Sequence, residues 1–202
     1  MVDAQDVQRV IFYFDLGSPF AYLAAERLDA LLPATAIWQP VSLGALFKAT
    51  GRSSWALSDP LVRESGMAEV ERRTRAYGLP TLRWPDPWPS NYLFAMRAAT
   101  YAFQLGRGRE FTLAAFRGAF RDGHDLGLPD QVLRAAAAVG INETAVTEAT
   151  QDPGVKLALR SATEAAYARG VFGVPTVAIG EELFWGDDRL SDAAVACASF
   201  TR

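Results

Sequence analysis

The stretch Asp15-Leu16-Gly17-Ser18-Pro19-Phe20-Ala21 joins an apolar run to a helical pattern, and its chemistry follows from that position. A helix N-terminus presents unpaired N–H groups and the positive end of the helix dipole. A thiol brought there ionises more readily, because the thiolate is the form stabilised. The Ser18 hydroxyl would donate a hydrogen bond to such a thiolate. Ser18 also reads as a plain N-cap, for which serine is among the commonest residues.

A second signal is Gly170-Val171-Phe172-Gly173-Val174-Pro175-Thr176, where a proline opens a strand directly after a glycine-flanked turn. A cis bond before Pro175 would be a deliberate feature. It would leave the Val174 N–H and C=O facing outward, able to pair with an extended peptide. Proline at a strand start also has a purely structural reading. The third signal is Phe184-Trp185-Gly186-Asp187-Asp188-Arg189-Leu190. Asp187 and Asp188 read as helix caps or as ligands for a peptide's ammonium group, with freed N–H groups for its carboxylate.

These segments need elements to hold them. Arg9–Asp15 is β-branched and aromatic and reads as a buried strand. A helix follows over Phe20–Leu32, then a strand over Ala34–Gln39 stopped by Pro40. This β-α-β unit is expected to be parallel. Strand signals then vanish. Helices are expected from Leu43 to Ala49, from Asp59-Pro60 to Tyr77, and from a Ser90 cap to Gln104. Others follow over Arg109–Arg121, Asp130–Val139 and Asn142–Ala149, and from Asp152-Pro153 to Arg169. Thr176–Ile179 and Leu183–Trp185 read as a hairpin, and a last helix spans Asp188–Phe200. Arg52–Asp59 and Arg83–Pro89 lack periodicity and are candidate loops over a site.

The 202-residue chain suits one large domain, or a small domain with an insertion. Its net charge of -3 gives no basic field for nucleic acid or an anionic membrane. Lysine occurs only at Lys48 and Lys156; with abundant alanine, this arginine-rich balance reflects a high-GC genome more than phosphate binding. No apolar run approaches the ~18 residues that a membrane span needs. The start, MVDAQDVQRVIFYF, has neither the basic nor the long apolar part of a leader, so a cytoplasmic location is expected. One cysteine, Cys197, excludes an internal disulfide and dithiol chemistry by this chain alone. One histidine, His124, excludes a His-rich zinc site.

Taken in order, the Ser-Pro turn, helical insert, Gly-Val-Pro segment, hairpin and Gly-Asp-Asp-Arg segment resemble the DsbA-like thioredoxin-fold family. Within it the chain looks most like 2-hydroxychromene-2-carboxylate isomerases and kappa-class glutathione transferases. The stretches that carry the resemblance are FYFDLGSPFAYLA at 12–24, PVSLGALFKATG at 40–51, NYLFAMRAA at 91–99, GVFGVPT at 170–176 and FWGDDRL at 184–190. The second and last favour the isomerase branch.

The resemblance implies an α/β, thioredoxin-like fold with a large all-helical insertion. Residues 1–41 and 152–202 would form the thioredoxin-like domain and 42–151 the insertion. It implies glutathione as the cofactor. Ser18 would bind its sulfur, Val174 beside Pro175 would pair with its backbone, and Asp187 and Asp188 would receive its γ-glutamyl end. In the isomerases the thiolate adds reversibly to a conjugated enone, allowing rotation before it is expelled.

The sequence departs from the family pattern at three places. Arg52-Ser53-Ser54 stands where an asparagine followed by a proline pair is usual, Arg63 falls near a family lysine, and Ala21 replaces a commoner serine. Arg52 or Arg63 would meet a substrate carboxylate, and arginine clamps carboxylates well. Trp55 and Trp88 are candidate walls for an aromatic substrate, with Trp84 and Tyr92 as companions. Asn91 reads as a helix-start residue, His124 as a helix exit and Cys197 as a small buried hydrophobe. The leading expectation is a glutathione-dependent cis-trans isomerase of a chromene-like aromatic carboxylate, acting as a homodimer. A kappa-like transferase and a non-catalytic thioredoxin-fold binding protein are the alternatives.

Overall fold

The computed structural model of the chain describes residues 9–200. Residues 1–8 and 201–202 lie outside the described residues, and with them most of the start on which the expectation about a leader rested. Among the described residues no helix is long and apolar enough to cross a membrane.

Four strands form one mixed sheet in the order β2-β1-β3-β4. Strand β1 (Val10–Phe14) pairs in parallel with β2 (Ile37–Pro40), in register Phe12↔Trp38. On its other side β1 pairs antiparallel with β3 (Thr176–Ile179), which continues antiparallel into β4 (Glu182–Trp185). Pro40 is the last residue of β2, on a sheet edge where a missing N–H costs no ladder bond.

Successive side chains of a strand point to opposite faces, and β1 is buried on both. Phe12 and Phe14 enter the larger core with Trp38, Tyr22, Phe116 and Phe120. Tyr13 joins a smaller core on the other face with Val41, Leu46, Val171 and Val174. This explains why β1 reads as a continuous apolar run instead of an alternating one.

The helices are α1 (Pro19–Ala25), α2 (Leu28–Leu31), α3 (Leu43–Thr50), α4 (Pro60–Ala76), α5 (Leu93–Gln104), α6 (Gly108–Phe120), α7 (Pro129–Ala138), α8 (Glu143–Gln151), α9 (Pro153–Ala168) and α10 (Leu190–Phe200). Asp59, Asn142 and Asp152 accept N–H bonds as N-caps of α4, α8 and α9. Between β2 and β3 the described chain contributes helices and loops only.

The strand expected over Ala34–Gln39 starts at Ile37 and includes Pro40, and the last helix starts at Leu190 after a short turn at Asp187–Arg189; two further differences have a visible side-chain cause. The helix expected over Phe20–Leu32 breaks into α1 and α2 at Glu26-Arg27. Arg27 turns aside there, its guanidinium 3.5 Å over the Tyr77 ring and donating to the Asp187 carbonyl at 3.2 Å. Ser90 does not cap α5. Its hydroxyl donates to the Pro87 carbonyl and its N–H to the Tyr92 hydroxyl, while Asn91 accepts from Leu93 N–H at the helix start. The prolines of the 83–89 loop claim Ser90 for the loop.

Candidate active site

A cleft of about 900 Å³ opens where the end of β1, the starts of α1 and α3, the Trp55 loop, the segment before α5 and the turn before β3 converge. Ser18 lies in its lining, N-capping α1: Ala21 N–H donates to its Oγ at 3.2 Å. The Ser18 hydroxyl points toward the Val174 carbonyl at 3.5 Å, the far limit of a hydrogen bond. Its oxygen is therefore engaged as an acceptor, while its proton is barely held. The Val174-Pro175 bond is cis, and Val174 N–H has no acceptor among the described residues.

Asp15 underpins this turn. Its two carboxylate oxygens accept from Gly17 N–H and Leu43 N–H, both at 2.8 Å, and its carbonyl accepts from Ser18 N–H at 3.0 Å. The residue thus ties the Ser18 turn to the start of α3. Burial raises its pKa to about 6 against the pull of those two N–H donors. Met96 on α5 holds the same turn from below, its sulfur accepting from Leu16 N–H at 3.2 Å. Gly17 is obligatory for packing: a β-carbon there would stand 2.3 Å from the Tyr92 ring.

One wall is aromatic. Trp55 meets Phe20 edge-on at 6.0 Å and Trp88 at 5.3 Å, and Trp84 backs Trp88 at 4.6 Å. Trp55, Trp88 and Tyr92 line the cleft, while Trp84 donates its indole N–H to Glu71 at 2.9 Å. Burial raises the Tyr92 pKa. Arg63 is not among the lining residues; its guanidinium donates to the Trp88 carbonyl behind the wall. The Arg63 Nε–H and Trp88 Nε1–H are buried donors with no acceptor among the described residues. Arg52 lines the mouth, 4.1 Å over the Phe172 ring, which in turn packs on Trp185 at 4.8 Å.

The far end is charged. Asp187 is buried, its carboxylate accepting from Arg73 at 2.7 Å and from the Tyr77 hydroxyl at 2.9 Å. Burial raises its pKa against those partners. Asp188 is exposed, 3.4 Å from Arg73. The turn that carries both uses Gly186 at φ 115°, whose N–H donates to the Pro175 carbonyl.

The fold thus brings Ser18, Val174, Pro175, Arg52, Trp55, Trp88, Asp187 and Asp188 around one cleft. His124 and Cys197 are not in the lining. Sequence reasoning missed Asp15, Arg73, Tyr77 and Met96. Asp15 had a signal, a carboxylate ending a buried apolar strand. Arg73 and Tyr77 meet Asp187 across more than a hundred residues and had none.

The DSBA-like thioredoxin domain family model matches residues 9–197. This chain belongs to that family. Among DsbA-like proteins it is 30% identical over 183 residues to a 2-hydroxychromene-2-carboxylate isomerase of Sphingobium xenophagum, across 89% of this chain and 92% of that protein. It is 29% identical over 190 residues to a protein of the same name from Pseudomonas putida, across 90% of each. A solved structure of 2-hydroxychromene-2-carboxylate isomerase superposes with a TM-score of 0.83 at 27% identity, covering 96% of both chains. The cytosolic disulfide reductase DsbM of Pseudomonas aeruginosa shares the DsbA-like fold, with a TM-score of 0.64 at 13% identity over 96% of both chains. Likeness of this extent to isomerases supports an enzyme, and an isomerase, over a non-catalytic binding protein.

Proposed function

We propose that this chain is a glutathione-dependent cis-trans isomerase of a 2-hydroxychromene-2-carboxylate-like aromatic substrate. The observation that carries the reading is the Ser18 hydroxyl, in the cleft with its proton held only at 3.5 Å. A donor so weakly committed is ready for a better acceptor, and a thiolate sulfur is one.

The residues fit the tripeptide. The cleft's volume of about 900 Å³ lies in the upper part of the ~300–1,000 Å³ range of small-molecule sites. Val174 offers an unused N–H to an extended main chain, and the Gly186–Arg189 turn offers Asp188 to the γ-glutamyl ammonium. Glutathione, when bound, supplies a thiol nucleophile toward the conjugated enone of the substrate.

The chain's own residues orient and select. Ser18 donates to the sulfur and favours its ionised form. Trp55 and Trp88 flank an aromatic ring, and Arg52 at the mouth meets a carboxylate. Arg63 supports this wall from behind through the Trp88 carbonyl and is not assigned to the substrate. The reading includes a homodimer working in the cytoplasm, and a sedimentation mass of one chain would remove the dimer.

Reduced glutathione at millimolar concentration is expected to raise the melting temperature, because a ligand of the native state alone must stabilise it. With glutathione present, a chromene carboxylate is expected to change its spectrum while glutathione is not consumed. Stoichiometric loss of glutathione to an electrophile would instead mark a kappa-like transferase. Absence of any thermal shift would remove the cofactor.

A further inference from the structure

The charged end of the cleft holds a cation that the proposed function leaves unused. Arg73 reaches the cleft lining from α4, its side chain 20% exposed. Its Nε donates to Glu69 at 2.7 Å and its Nη1 to Asp187 at 2.7 Å. Its Nη2 has no acceptor among the described residues. The guanidinium lies over the Phe20 ring, 5.3 Å from its centre.

The two aspartates differ in what they have left to offer. Both Asp187 oxygens are taken, one by Arg73 and one by Tyr77, and its side chain is 1% exposed. An incoming ammonium would have to displace one of these partners. Asp188 is 54% exposed and has Arg73 as a neighbour at 3.4 Å. An open carboxylate and a partly open guanidinium therefore stand side by side. An α-amino acid carries the complementary pair, an ammonium and a carboxylate on one carbon.

Resting on the glutathione reading above, we propose that Arg73 binds the α-carboxylate of the γ-glutamyl group through Nη2. Asp187 is then a positioning residue that holds the guanidinium in place, and Asp188 alone takes the ammonium. The site recognises a zwitterionic head group, so it discriminates against thiols that lack either charge. A guanidinium serves two carboxylates at once through its planar fork; a lysine ammonium is a single point charge. Lysine at this position would be claimed by Asp187.

Calorimetric titration with three thiols tests this: glutathione, glutaryl-Cys-Gly, which lacks the α-amino group, and 4-aminobutanoyl-Cys-Gly, which lacks the α-carboxylate. Arg73→Lys keeps the partner of Asp187 and is expected to bind glutathione about tenfold more weakly, about the worth of one charge-assisted contact. Its affinity for 4-aminobutanoyl-Cys-Gly should match that of the unaltered chain. Asp188→Asn, at an exposed position, should lose affinity for glutathione and keep it for glutaryl-Cys-Gly. The double variant Arg73→Met with Asp187→Asn removes both members of the buried pair and should behave as Arg73→Lys does.

Glutathione binding to Arg73→Lys at full strength would overturn the assignment, as would an equal loss for all three thiols. Transfer of the carboxylate discrimination to Arg189→Gln, at the arginine that the Asp187–Arg189 turn adds to the cleft lining, would overturn it too. If the unaltered chain binds none of the three, the glutathione reading falls and this proposal falls with it.

Discussion

Ser18 and Asp15 do different work within the same turn. The Ser18 oxygen caps α1 while its proton is nearly free. Ser18→Ala should therefore slow turnover at least about tenfold, the scale of one lost donor to a developing or stabilised anion. The lost cap costs only about 1 kcal/mol of stability, so a melting curve separates the two effects; near-normal turnover would refute the assigned role. Asp15 is raised from 3.8 to about 6 by burial. Its neutral form is the one that folding favours, so its contribution to stability is complete below about pH 4 and disappears as pH rises through about 6. A shift of about two units corresponds to about 3 kcal/mol. Between about pH 4 and about pH 7, wild type should lose up to that much urea stability relative to Asp15→Asn, which cannot ionise. Parallel pH profiles for the two proteins would show that Asp15 titrates normally. At this scale the placement of Ser18, Val174 and Asp188 at one cleft was legible because each sits at a turn with a local sequence signature. The occupation of Asp187 was not, since Arg73 lies 114 residues away and no spacing rule reaches so far.

Helices announced by an aspartate or asparagine cap, with or without proline behind it, matched their expected starts closely, because a cap is a local bargain between one side chain and its own next turn. Where a distant element bids for the same residue, the local reading fails, as at Arg27 and at Ser90. The same competition sets the position of Trp55. Gly66 lies inside α4, and a β-carbon there would fall 2.3 Å from the Trp55 ring. In an isolated helix, alanine would be favoured over glycine by about 1 kcal/mol. Here Gly66→Ala should displace the indole and raise the KM for the aromatic substrate several-fold. The dissociation constant for glutathione, whose proposed contacts are Ser18, Val174 and Asp188 and, about two turns further along α4, Arg73, should hold within about twofold. An unchanged KM would remove Trp55 from the substrate wall.

The larger core runs without interruption from Phe12 and Phe14 of the sheet through Tyr22 to Phe111, Phe116 and Phe120 of α6 and Val132 of α7. The Arg73–Asp187 pair adds a second tie between α4 and the turn before α10. Helices and sheet should therefore unfold together: far- and near-ultraviolet circular dichroism should give coincident urea transitions. An earlier helical transition would show two independently folding units. The order of strands and helices was readable because caps, prolines and buried runs recur in sequence; the joining of the layers was not, since it rests on contacts between aromatic residues far apart along the chain. The placement of tryptophans has an experimental consequence. The chain has five, at 38, 55, 84, 88 and 185. Trp38 lies in the core against Phe12, whereas Trp55, Trp88 and Trp185 line the cleft, with Trp84 against Trp88. Four of the five indoles thus lie at or directly behind the cleft, and an absorbing aromatic acid, if it binds there as proposed, should quench their emission by energy transfer, so occupancy can be followed by fluorescence without an attached dye.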